Sequence, residues 1–293
     1  MKKITIHHSP DADDAFMFYG LVSGKVQEPG YEFDHSLSDI QSLNEGALNG
    51  ELDVTAISVH AYPYVAKSYS ILACGASMGG VDYGPRVVAT KEGAAEIDFG
   101  RSDSGRKLRI ATPGKLTSAT LAMKLFLAEN NAQVELQDIP FDQIQTAVID
   151  GDFDAGVIIH EGQITHQREN LVCVLDLGEW WWSKHALPLP LGVNVVRKEL
   201  GEQAMRASYR ALKASIETSL AERSAALDYA LGYGRGITPS EADQFVGMYV
   251  NELTVDMGSE GRRSIELFLN EAAGQGIIDE VPVLEYVDDN SLG

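Results

Sequence analysis

Cysteine is scarce in this 293-residue chain: there are 2, Cys74 and Cys173, far apart and without CxxC spacing. That excludes a disulfide framework and a thiolate metal centre, and it reads as reduced thiols in a cytosolic protein. Basic side chains are also few, 23 against 43 acidic ones, for a net charge of −20. A phosphate backbone calls for the opposite balance, so nucleic acid is not an expected partner. No apolar run approaches the ~18 residues that span a membrane. No apolar segment follows the two lysines of MKKITIHHSP, so neither an anchor nor a secretory leader is expected. GxGxxG, Walker and G-x-S-x-G patterns are missing too, which removes the usual signs of a nucleotide site or a serine hydrolase. The apolar fraction of 44 % is enough for a real core, in two lobes or one large α/β domain.

An internal repeat is present. NGELDVTAIS (49–58) and DGDFDAGVII (150–159) align at an offset of 101, matching Gly50 with Gly151, Asp53 with Asp154 and Ile57 with Ile158. In each copy an amphipathic helix ends at a glycine, a turn with an aspartate follows, and an apolar strand comes next. The copies also begin alike: ITIHHSP (4–10) and LRIATPG (108–114) each read as a strand meeting a proline turn and then a helix. Chance likeness between two ordinary βα units is the bland alternative. Otherwise each half builds an open, mostly parallel sheet flanked by helices. GPRVVAT (84–90) reads as a strand leaving lobe one, 91–107 as a polar connection, and LPLGVNVVR (189–197) as the returning strand. Helices are expected at about 203–230, from the capping box Thr238-Pro-Ser-Glu241 onward, and at about 260–273. Their apolar faces suit lobe one. The expected division is 1–90 with 197–293 for lobe one and 91–196 for lobe two. Ligands in such folds bind beyond the carboxyl ends of the strands, here between the lobes.

That geometry singles out residues just past each strand. His160, in GVIIHEG, can be a general base because imidazole titrates near neutrality, or it can be a core histidine. The turn 112–118 (TPGKLTS) opens a helix whose free amides, with Thr117 and Ser118, suit a carboxylate; plain N-capping is the alternative. Ala56, Ile57 and Ser58 end the equivalent strand of lobe one and face the same cleft. HHSPDADD (7–14) raises a metal, but His7 and His8 point to opposite faces of a strand, and the aspartates lack calcium-loop spacing. Acidic residues in a first helical turn also complement the macrodipole. Trp180, Trp181 and Trp182 could stack an aromatic ligand or pack a surface; three adjacent rings cannot all face one pocket.

Five segments now stand together: SPDADDAFMF (9–18), PGKLTSA (113–119), GVIIHE (156–161), DLGEWW (176–181) with LPLPLG (187–192), and YVNELTVDMGSEG (249–261). Over nearly its whole length the chain resembles the 1,4-dihydroxy-6-naphthoate synthases of the futalosine route to menaquinone. The resemblance implies a two-lobed, type II periplasmic-binding-protein-like α/β fold and an active site in the interlobe cleft. It implies a carbon–carbon lyase that splits cyclic dehypoxanthine futalosine into 1,4-dihydroxy-6-naphthoate and a three-carbon fragment. The family's proton acceptor falls on His160, and its substrate loops fall on Ala56, Ile57, Ser58, Thr117 and Ser118. The implied partner is a small carboxylated aromatic substrate; no metal and no cofactor are expected. Members often carry Cys-Pro-Asn-Asp after Ser-Pro, where this chain has Asp11-Ala12-Asp13-Asp14, and an aromatic where it has Val59-His60. Two rivals stand beside this reading. One is the sister dehydratase acting on chorismate, which the IIHE run disfavours. The other is a solute-binding protein for a small carboxylate, which would need a leader. His8, His60 and Asp14 remain open as further proton-transfer groups.

Overall fold

The computed structural model describes residues 1–99, 107–234 and 236–289. The chain begins with β1 (Lys2–His8), α1 (Ala12–Val22), β2 (Tyr31–Leu37), α2 (Ile40–Leu48), β3 (Val54–Ser58), α3 (Tyr62–Val65), β4 (Tyr69–Leu72) and β5 (Ser77–Gly79). It crosses into β6 (Arg86–Thr90), α4 (Lys91–Ala94), β7 (Leu108–Thr112), α5 (Ser118–Glu129), β8 (Val134–Asp138), α6 (Ile144–Ile149), β9 (Ala155–Ile158), α7 (Gly162–Thr165), β10 (Leu171–Asp176) and α8 (Leu177–His185). It returns through β11 (Leu189–Arg197), α9 (Glu202–Ala221), α10 (Arg223–Ala230), α11 (Pro239–Tyr249), α12 (Glu252–Val255), α13 (Gly258–Gly274) and β12 (Tyr286–Val287). Of the polar connection expected at 91–107, residues 100–106 lie outside the described ones.

Two sheets result. The first runs β12–β4–β11–β3–β1–β2, with β5 also on β11, and the second runs β10–β6–β9–β7–β8. The repeat is visible in their hydrogen bonds. Asp53 Oδ2 accepts from the Thr5 amide at 3.1 Å, and Asp154 Oδ2 accepts from the Arg109 amide at 2.8 Å. Each aspartate thereby ties the strand it precedes to that strand's parallel neighbour, pairing β3 with β1 and β9 with β7. Gly50 and Gly151 turn the chain with φ of +69° and +79°, a region open to glycine at no steric cost.

The expectation of mostly parallel sheets needs correction: both are mixed. β11 runs antiparallel to β3, β4 and β5, and β6 antiparallel to β9 and β10. These are the two crossing strands: β6 comes from β5 of the first sheet and β11 from β10 of the second through α8, so neither enters its sheet by a βαβ unit within that sheet, the unit that would have set it parallel. They also sit beyond the expected boundaries. The 86–90 strand, expected to end lobe one, belongs to the second sheet; 189–196, expected in lobe two, belongs to the first.

The trailing helices cover α1. It is buried from Ala12 to Leu21, between the first sheet and α9, α10 and α11. The long helix expected at 203–230 breaks at Glu222, and both halves lie on α1. Gly20 permits that approach: a Cβ there would come within 2.8 Å of the Ser215 Cα. The capping box at Thr238 forms as its spacing foretells. Among the described residues, no helix is long and apolar enough to cross a membrane.

Candidate active site

A cavity of about 720 Å³, mouth included, lies between the carboxyl end of β3, the turn after β1, the segment after β9 and the N-terminus of α5. His160, Ala56, Ile57, Ser58, Thr117 and Ser118 all line it. His8 and His60 do not.

At one end stands His160. It adopts φ +55°, the left-handed region that costs a non-glycine residue of order 1–3 kcal/mol and clusters at functional sites. Phe141 meets its ring edge-on, with centroids 4.9 Å apart. Its Nδ1 lies 2.9 Å from Asp11 Oδ2. Asp11 is the N-cap of α1: its carboxylate also accepts from the Asp14 amide at 3.3 Å and from the Ser9 hydroxyl. Asp14 Oδ2 in turn accepts from the Ser9 amide at 2.8 Å.

Asp11, Asp13 and Asp14 converge within 4.8 Å of one another, a spacing at which carboxylates can share a cation or a proton. Protein donors already engage Asp11 and Asp14, and the three differ in acidity. Burial works against ionising Asp11, yet the His160 charge and the hydrogen bonds of His160, Ser9 and Asp13 hold it well below the usual carboxylate range. Burial, then the charges of Asp11 and Asp14, push Asp13 well above that range. Burial and Asp11 raise Asp14 to about 7. Asp11 is therefore the most acidic of the three, and Asp13 and Asp14 hold their protons more tightly than ordinary carboxyls.

At the other end is α5. The Thr117 hydroxyl accepts from the Thr120 amide at 3.2 Å and donates to Gly114 O at 2.8 Å, which is the plain-capping alternative. The Ser118 hydroxyl donates to Leu191 O at 2.6 Å and accepts from the His60 amide at 3.2 Å. Both hydroxyls serve the framework, so the donors this helix offers a ligand are the first-turn amides of Ser118 and Ala119, which have no intrahelical acceptor. Ser58 is gripped at two points: its amide donates to Asn44 Oδ1 at 2.8 Å, and Asn44 Nδ2 donates to its Oγ at 3.1 Å. Its own hydroxyl hydrogen is left to donate. Asn44 went unnoticed in the sequence, although a polar residue on the buried face of α2, beside Leu43 and Ala47, is the signal.

Two histidine candidates fall in the core, and the tryptophans lie away from the cavity. His60 lies against Thr117 O at 3.3 Å, and burial, then Lys124, lowers it to about 4. His8 stacks on Phe18 at 4.3 Å, and burial lowers it to about 4 as well. Both are neutral structural rings. The tryptophans pack: Trp181 is buried against Phe268, Trp180 donates to Glu129 at 3.2 Å, and Trp182 is partly exposed. None lines the cavity.

Two α/β sheets around a cleft lined by strand ends and a helix N-terminus define a periplasmic-binding-protein fold. The ligand-binding component of an ABC-type import system from Staphylococcus aureus shares it at a TM-score of 0.74 and 11 % identity, over 98 % of this chain and 97 % of that one. A structure from Archaeoglobus fulgidus is nearer, at a TM-score of 0.84 and 41 % identity, covering 94 % and 98 %. The chain belongs to the menaquinone biosynthesis family, whose model matches residues 4–274. It is 36 % identical over 283 residues to the 1,4-dihydroxy-6-naphthoate synthase of Thermus thermophilus, covering 96 % of this chain and 98 % of that one.

Proposed function

We propose that the chain is a 1,4-dihydroxy-6-naphthoate synthase that cleaves cyclic dehypoxanthine futalosine. The observation that carries this is the placing of His160, on left-handed backbone past β9, in the same cavity as the N-terminus of α5. The full-length likeness to the Thermus enzyme agrees with it. In this reading the substrate carboxylate lies at the Ser118 and Ala119 amides, as anions do at helix N-termini. Ser58 donates to a substrate oxygen. His160 Nε2 takes a proton from the substrate, and the electron pair left behind drives cleavage of a carbon–carbon bond. Formation of the aromatic second ring favours the cleaved products.

The two sheets form two lobes that close over the substrate, with the crossings at 80–85 and 186–188 as hinges. The unpaired state of Cys74 and Cys173 fits a reducing compartment, the cytoplasm. The test is incubation of the purified protein with cyclic dehypoxanthine futalosine, with chorismate in parallel. The naphthoate chromophore should appear from the first alone. Turnover of chorismate, or ligand binding without any product, would overturn the proposal in favour of the sister dehydratase or a solute-binding protein.

A further inference from the structure

Asp11 carries more charge than its structural duty needs. Capping α1 requires only a side-chain oxygen, and serine or asparagine serves as well as aspartate. A carboxylate here adds a buried anion beside Asp13 and Asp14, all three of them buried. Burying a charge is unfavourable unless a partner compensates it. The compensating partner is His160, whose Nδ1 is 2.9 Å away and reaches Asp11 from the other sheet.

We propose that Asp11 is a positioning residue for His160, holding the imidazole proton on Nδ1 so that Nε2 is the nitrogen that accepts from substrate. This rests on the reading of His160 as the base. An imidazole has two tautomers, and only an acceptor at Nδ1 selects the one with a basic Nε2. Once Nε2 has taken a proton, the imidazolium stands beside a carboxylate that stabilises its charge, as in other aspartate–histidine pairs. Other titratable groups surround the pair: His8, Asp13 and Asp14 act on Asp11 from the β1–α1 side, and Glu161, beside His160 in the chain, and Tyr249 of α11 face Asp13. Burial lowers His8 to about 4 and raises Asp13, while His160 holds Asp11 below the usual carboxylate range, so Asp11 is the most acidic group next to the ring.

The test is Asp11→Asn, which keeps size and a capping oxygen, so that the variant should still fold, as circular dichroism would show. Ring ¹⁵N spectra of His160 should show the proton on Nδ1 in the parent protein. In the variant that tautomer should lose its dominance, and the imidazole should titrate at least about one pH unit lower. Turnover should fall roughly 10²–10⁴-fold with KM nearly constant, and the acid limb of kcat/KM should move with the ring titration. An unchanged ring titration and tautomer would overturn the inference, as would full turnover in Asp11→Asn. His160→Asn separates the two claims. If it is inactive while Asp11→Asn is active with an unaltered ring, positioning fails and the base stands; if His160→Asn is fully active, the base reading falls and positioning with it.

Discussion

Tyr249 of α11 and Gln163 of α7 meet across the cavity, the tyrosine hydroxyl donating to Gln163 Oε1 at 2.5 Å while the Gly84 amide donates to the same oxygen at 3.2 Å. This joins a helix that covers α1 to the segment after His160. Ser118 and Leu191 make a second such link, and Asp11 with His160 a third. Three links thus join the two halves of the molecule around the cavity, while Asn44 holds Ser58 from within its own half, and single substitutions can separate what binds from what merely braces.

Thr117→Val should lower stability more than it alters binding. The hydroxyl caps α5, and losing such a cap costs about 0.5–2 kcal/mol. Thermal denaturation should register that, while KM for substrate stays within a few-fold. A KM raised ten- to a hundredfold at unchanged stability would mean that the hydroxyl itself holds the carboxylate.

Asn44→Ala removes both holds on Ser58 and leaves its buried amide without an acceptor. That should cost about 1–3 kcal/mol in chemical denaturation. KM should rise as well, because Ser58 loses its fixed orientation. Unaltered stability would show that the clamp contributes nothing.

Asp14 gives a stability effect with a definite sign in pH. Its carboxyl is raised to about 7 in the fold, against ~3.9 in an unfolded chain. The folded state therefore binds the proton more tightly, and the stability it lends is full below about pH 4 and lost as pH rises through 7. Asp14→Asn stays neutral throughout and escapes that loss. The melting temperature of the variant relative to the parent should be higher at pH 8 than at pH 5. The same difference at both pH values would contradict the raised carboxyl.

Much of this was legible in the residues. Gly50 with Gly151 and Asp53 with Asp154 mark a repeat because each pair does the same local work, a left-handed turn and a grip on the neighbouring strand. The Thr238–Glu241 capping box depends only on near neighbours and formed as read. The directions of β6 and β11 were hidden, since a strand's own sequence does not say which edge it joins or which way it runs. The histidines show the same limit. His8, His60 and His160 all follow or end apolar strands, and only packing separates the two neutral core rings from the one in the cavity. Asp11 read as a first-turn acid because its partner lies far along the chain and on another sheet.

The most direct measurement compares naphthoate formation from cyclic dehypoxanthine futalosine by the parent protein and by His160→Asn, at matched fold and saturating substrate. The account predicts a variant that folds and binds but turns over roughly 10²–10⁴-fold more slowly, with the acid limb of the parent profile gone. Turnover within a few-fold of the parent would contradict it, because no other group in the cavity has been given the proton.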